Sequence, residues 1–159
     1  MDGSDTQSQV GIVTDLAGLA ALEGTELGHS EWREMTQEMV DAFAELTGDH
    51  NFIHVDPLRA RETPFGTTIA HGFLTLSLLA PVTQRLLVVT DAGMSINYGL
   101  DKLRFPAPLP VGARFRGAAR VSAVSAIEGG TQVALTASIE VAERPKPALV
   151  AECLLRFYA

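Results

Sequence analysis

Residues 47–57 read TGDHNFIHVDP, a run that holds Asp49, His50, His54 and Asp56 together with Gly48, Asn51 and Pro57. The chain has only four histidines, and two of them fall here, each within two residues of a carboxylate. Three readings compete: a metal site, an acid/base pair acting on a bound water, or a polar turn whose Asp caps a backbone N–H. A metal is the weakest, because Gly48 has already ended the helix that would align His50 with His54. No cysteine stands nearby to complete a ligand set, so no metal is expected. Water is a poor nucleophile, and a base must take its proton as it attacks. A carboxylate and an imidazole of near-neutral pKa can divide that task, typically contributing ~10²–10⁴-fold. Asp49 and His54, five residues apart on a loop, can converge on one water without strain. His50 reads as solvent-facing, and Asp56 as a helix cap. On spacing alone, the plain polar loop stays open beside the acid/base pair.

The elements around this run must hold it in place. TQEMVDAFAELTG predicts a helix capped by Thr36 and ended by Gly48, with Met39, Val40, Phe43 and Leu46 as its apolar stripe. A short helix follows, with Asp56 as N-cap and Pro57 at its first position. Upstream, TDLAGLAALEG reads as an amphipathic helix from Thr14 or Asp15 to Gly24, and a strand is weakly signalled around Trp32. From about Ala70 to Val89, apolar residues lie all round a helical circumference, so this helix is expected to be buried on every side. Pro81 should kink or split it. After Asp91-Ala92-Gly93 come four strand-like segments, separated by breaks at Pro106 to Pro110, Gly129-Gly130 and Pro145 to Pro147. They predict an antiparallel meander. A curved antiparallel sheet around one buried central helix is an α+β arrangement, the hot-dog fold. One layer of sheet cannot fully cover such a helix, so a homodimer is expected. Residues 1–13 read as a disordered lead-in and 14–159 as a single domain.

Composition narrows the partners. The formal charge is −7 and no Lys/Arg cluster occurs, which argues against a nucleic-acid or anionic-membrane surface. The most apolar stretch, 73–89, contains Gln84 and Arg85 and falls short of a membrane span. Residues 1–9 are polar where a signal peptide needs a basic start and an apolar run. Cys153 is the lone cysteine, so no intrachain disulfide is available and a cytoplasmic location is the expectation.

FAELTGDHNFIHVDPLRA resembles the signature of the MaoC-like hydratases, the R-specific enoyl-CoA hydratases. The matching positions are Phe43, Thr47, Gly48, Asp49, Asn51, Ile53, His54 and Asp56. AHGFLTLSLL and INYGLDKLRFPAPLPVG match further segments, so the resemblance runs from about Asp15 to Phe157. Phe52 departs from it, standing where the pattern has Pro. The resemblance implies that Asp49 and His54 hold one water against the double bond of a trans-2-enoyl thioester, carried on CoA or acyl carrier protein. Addition at carbon 3 with a proton at carbon 2 gives an R-3-hydroxyacyl thioester, and no separate cofactor is implied. It puts an oxyanion donor at the backbone of Gly72, in the first turn of the buried helix, where N–H groups lack intrahelical partners and the helix dipole favours negative charge.

The remaining candidates carry bland alternatives. Asn51 either touches substrate or braces its loop through backbone bonds. His71 either lines the pocket or hydrogen-bonds inside. Phe105 resembles a position against the acyl thioester, with a core aromatic as the equal alternative, while Asn97, Tyr98 and Arg104 read as strand and interface residues. A hot-dog thioesterase would bind the same substrates, but many of these use a carboxylate on the central helix, and residues 72–89 contain none. A non-catalytic partner subunit would be expected to lack one member of the pair, and this chain has both.

Overall fold

A computed structural model describes residues 11–159. Three long strands make the frame: β6 (Arg114–Ile127), β7 (Gly130–Val141) and β8 (Leu149–Tyr158). Each alternates strictly through its central part, with Phe115, Ala119, Val121, Val133, Leu135, Ile139, Leu149 and Phe157 buried on one face. That period of two fixes which side of the sheet meets the core. The strands run antiparallel in sequence order, as the meander predicts.

The fourth long strand, β5 (Met94–Arg104), does not continue that order. It pairs with β8, giving the sheet order β2-β6-β7-β8-β5, where β2 is Glu26–His29. The two-residue strand β3 (Arg33–Glu34) also pairs with β6, just past Trp32.

α1 (Gln37–Thr47) forms as its ends predict. The Thr36 side chain accepts from Met39 N at 3.3 Å, and Gly48 closes the helix with φ 78°. A residue with a side chain would be strained at that φ, so glycine suits the cap. Val40 and Ala44 are the buried positions, with Met39 and Phe43 packed at the edge of the core. Leu46 is 83% exposed and leaves the predicted stripe, because it lies on the opposite side of α1 from Val40 and Ala44. Two single-turn helices follow, α2 (Phe52–Val55) and α3 (Pro57–Ala60). Asp56 caps α3 with bonds of 3.1 Å from both Leu58 N and Arg59 N.

The central helix is shorter than its apolar run. α4 (Gly72–Ser77) and α5 (Leu79–Leu86) meet at Leu78, and Leu87–Val89 form strand β4. Pro81 cannot donate to the carbonyl of Ser77 and its ring crowds that oxygen, which places the break at this turn. The expectation of burial on every side fails too: Phe73 is 69% exposed, and Ser77, Gln84 and Arg85 are also exposed. The inner face still packs tightly. Gly117 of β6 lies under Val82, whose side chain occupies the space a Cβ would need. Gly117→Ala should therefore cost about 1–3 kcal/mol, read as a lower urea midpoint at unchanged slope.

The N-terminal expectations need correction. Thr14 to Gly24 is not an α-helix; a single 3-10 turn covers Leu19–Leu22. Ile12–Thr14 is strand β1, paired in parallel with Leu87–Val89 of β4. Ile12 and Val13 thus belong to the folded domain, and only residues 1–10 of the expected lead-in lie outside the described residues. Val88 and Val89 are β-branched and favour an extended backbone, which offers β1 its partner. No helix among the described residues is long and apolar enough to cross a membrane.

Candidate active site

The run 47–57 folds as a corner between three helices. Gly48 turns the chain out of α1, and Asn51 caps α2 by accepting from Ile53 N at 3.4 Å. Asn51 therefore braces the loop, and it is absent from the wall of the adjoining cavity. Phe52 occupies the first position of α2, where proline is also well tolerated. The departure at Phe52 thus leaves the helical turn intact, and its ring packs under the Arg59 guanidinium, 4.1 Å from the centroid.

His54 is buried, and its Nδ1–H donates to the carbonyl of Ile69 at 2.7 Å. That bond fixes the tautomer and leaves Nε2 as a bare acceptor. The Gln37 side chain donates to the carbonyl of His54 at 2.8 Å, and Thr68 Oγ1 donates to Gln37 Oε1. Gln37, Thr68 and Ile69 therefore hold the imidazole from behind. Their part was hidden because neither a backbone carbonyl nor a distant amide leaves a mark in a motif. Burial pushes the His54 pKa down from its ordinary value; the bond to Ile69 opposes this, His71 adds to it, and Asp49 opposes it.

Asp49 is exposed, and its Oδ1 accepts from Asn51 N at 3.3 Å. One carboxylate oxygen of Asp49 and one ring nitrogen each from His54 and His71 lie within 4.8 Å of one another. Two hydrogen bonds of ordinary length can bridge such a gap through one water. The same trio invites a metal reading, and the geometry opposes it. The His54 and His71 rings stack at 3.9 Å with 26° between planes. In-plane lone pairs on stacked rings run side by side, which does not suit two ligands of one tetrahedral ion.

A cavity of about 410 Å³ opens beside His54, walled by Ile69, Gly72, Thr75, Phe105 and Leu109 among others. Gly72 begins α4, and no side chain caps that end, so the first N–H groups of the helix have no intrahelical acceptor. Phe105 is 42% exposed and is a wall residue rather than a core aromatic. A Cβ on Gly72 would sit 3.1 Å from two atoms of the Phe105 ring. The bare glycine thus makes room for this ring, which the sequence did not suggest.

His71 does not line that cavity. It is 2% exposed, its Nε2–H donates to the carbonyl of Asp49 at 2.9 Å, and its ring lies against both His54 and Phe43. Of its two sequence readings, the internal hydrogen bond is the one found. His50 faces outward, with Nδ1 3.7 Å from Glu45 Oε1.

A second cavity of about 300 Å³ lies between the central helices and the sheet, bounded by Leu76, Leu79, Ala80, Thr83, Leu100 and Cys153. Burial raises the Cys153 thiol to about 11, so it lines this space as a neutral, unreactive group.

Residues 19–143 match the family described as MaoC like domain. The chain is 48% identical over 145 residues to 3-hydroxyacyl-thioester dehydratase Z of Mycobacterium tuberculosis, covering 91% of this chain and 96% of that protein. It is 43% identical over 140 residues to nodulation protein N of Rhizobium leguminosarum bv. viciae, covering 86% of each. Among solved structures, the (R)-hydratase from A. caviae involved in PHA biosynthesis is similar with a TM-score of 0.69 and 27% identity, over 84% of this chain and 94% of that one. The family match brackets both the Asp49–His54 corner and the head of α4, and the chain belongs to the MaoC-like dehydratase family, with its hot-dog fold.

Proposed function

We propose that this protein is an R-specific enoyl-CoA hydratase, adding water reversibly to trans-2-enoyl thioesters. At the coarser level it is a hydro-lyase of 3-hydroxyacyl thioesters, as its family and its relatives indicate. The observation that carries the finer reading is the Asp49 carboxylate facing a buried imidazole whose Nδ1 is already committed to Ile69.

In this reading one water sits between the Asp49 carboxylate and His54 Nε2. Its oxygen bonds to carbon 3 as one O–H bond breaks, and His54 Nε2 takes that proton. The electron pair of the carbon–carbon double bond moves toward the thioester carbonyl. His54 then returns the proton to carbon 2, so water has been added with nothing left over. Asp49 holds the second hydrogen of the water and orients its lone pair. The thioester oxygen, negative in the enolate, is placed at the free N–H groups that open α4 at Gly72, with Phe105 against the acyl thioester. The apolar second cavity suits the acyl chain. Water, a base and an acid suffice, so the reaction needs no cofactor, and CoA enters only as part of the substrate. The buried, unpaired Cys153 is in keeping with action in the cytoplasm. Hydrolysis is disfavoured because the central helices offer no carboxylate and the lone thiol is inert.

Incubation with crotonyl-CoA followed by chiral analysis tests the reading. The R-3-hydroxybutyryl thioester is expected, and the S enantiomer would refute R specificity. A pH profile adds a further check. Because burial lowers the His54 pKa, the imidazole stays neutral and able to accept a proton below the usual histidine range. The acid limb of kcat/KM should therefore lie below an ordinary imidazole value of about 6.5.

Assembly belongs to the same proposal. β5 is paired only with β8, and among the described residues its other edge is free. Met94, Ile96, Tyr98 and Leu100 on this strand are all at least 40% exposed, and Phe73 of α4 is exposed as well. A long apolar edge of this kind is a template for pairing, and a homodimer with its two sheets side by side covers it. Sedimentation at micromolar concentration should give a dimer, and a monomer alone would refute it.

A further inference from the structure

His71 is buried, partnered and close to the chemistry, yet the proposed reaction gives it no step. The loop that carries Asp49 is held mainly by itself. Gly48 N bonds Ala44 O, His50 N bonds Gly48 O, Asn51 N bonds Asp49 Oδ1, and His50 faces Glu45. All of these partners lie within five residues. Among the described residues, the bond from His71 Nε2 to the Asp49 carbonyl is the one that ties residues 48–51 to a distant part of the chain. It comes from the residue that immediately precedes α4, next to Gly72.

The same ring stacks on His54 at 3.9 Å, and Phe43 of α1 presses on it with a centroid distance of 4.9 Å. A core-filling role explains neither contact well. His71 Nδ1 is buried and has no hydrogen-bond partner among the described residues, which costs stability that a phenylalanine or leucine here would not. A buried nitrogen left unpaired asks for an explanation, and packing alone supplies none.

We propose that His71 is a positioning residue for the acid/base pair, its Nε2–H fixing the Asp49 backbone while its ring backs the His54 imidazole. Both members of the pair are thereby keyed to one rigid group at the start of α4. This rests on the hydratase reading above. His71 does not touch substrate, because it lies behind His54 and outside the cavity wall. The titratable groups that face His54 are His71 and Asp49.

Two variants separate the tether from the stack. His71→Phe keeps an aromatic ring behind His54 and removes the donor to Asp49. His71→Gln places an amide donor near the position of Nε2 and removes the ring. With crotonyl-CoA, His71→Phe should lose about tenfold or more in kcat, since misplacing a reacting group by an ångström costs on the order of 10²-fold. KM should change little. His71→Gln restores the donor but not the ring, so it should recover part of that loss. Both variants should move the acid limb of the pH profile upward, because each removes a neighbour that disfavours protonation of His54. A folded His71→Phe protein with wild-type kcat and an unmoved acid limb would overturn the proposal. So would equal losses in both variants that simply track lowered stability.

Nitrogen NMR of the wild-type imidazoles decides the matter independently of folding or activity in the variants. His71 should be the Nε2–H tautomer, with that proton protected from exchange by its bond to the Asp49 carbonyl. An Nδ1–H tautomer, or a rapidly exchanging Nε2 proton, would overturn the role of His71. A wild-type protein inactive on crotonyl-CoA would instead overturn the hydratase reading, leaving the NMR result to judge His71 on its own.

Discussion

Asp49→Asn and His54→Gln should each lower kcat by ~10²-fold or more, with the fold intact. Asparagine keeps the shape of the Asp49 side chain, and the acceptor for Asn51 N survives, so the loop retains its local bond. It loses the charge that orients the water. Glutamine at position 54 can still reach toward Ile69 O, but it has no nitrogen that accepts a proton. Because both groups act on one water, the double variant should lose far less than the product of the single losses. Full additivity would mean that they act on separate steps. His50→Gln is the control. Its ring faces Glu45 and solvent, and near-wild-type turnover is expected. A polar loop without catalytic function predicts small, similar effects at all three positions, so this set of variants discriminates between the readings.

Gly72→Val is the second large effect, and its cause is steric as well as electrostatic. The added Cβ would stand 3.1 Å from the Phe105 ring, tighter than relaxed packing allows. Phe105 is partly exposed and can yield a few tenths of an ångström, so Gly72→Ala should be mild. The branched methyls of valine reach further, toward both the ring and the space beside the first free N–H groups of α4. A loss of ~10²-fold or more in kcat/KM is expected, comparable to removal of an oxyanion donor. Gly72 does not have a positive φ, so the backbone itself is not strained and the protein should fold. Adding Phe105→Ala should relieve the ring contact without restoring full activity. Near-normal turnover by folded Gly72→Val would remove Gly72 from the mechanism.

Much of this site was legible because its parts are local. Thr36, Gly48, Asp56 and Pro57 mark helix ends by chemistry that operates within a turn, and the structure uses each as expected. The strands β6, β7 and β8 announce themselves by strict alternation. What failed were features set by distant partners. Ile12–Thr14 is extended because Leu87–Val89 pairs with it, and neither segment reveals the other. The Leu/Ala-rich run after it has helical composition, but Gly18 and Gly24 flank only one 3-10 turn. The place of β5 beside β8 is a choice of topology that alternation does not encode.

The site shows the same division. Asp49 and His54 stand out because spacing and residue type carry their chemistry. Gln37, Thr68 and Ile69 act through bonds spanning 15 to 31 residues, with no local signature. His71 was visible as a residue and ambiguous as to role, since only its contacts distinguish a wall residue from a support. Phe105 was ambiguous for the converse reason: an aromatic after a strand is equally at home in a core or on a wall.

The central claim is that the Asp49–His54 corner adds water to an enoyl thioester and leaves the thioester bond whole. One assay on the wild-type protein with crotonyl-CoA, following enoyl absorbance and free thiol together, tests it most directly. The account predicts that absorbance falls to an equilibrium plateau, that the same plateau is reached from R-3-hydroxybutyryl-CoA, and that no thiol is released. Release of thiol in step with the absorbance change, or no change at all, would contradict it.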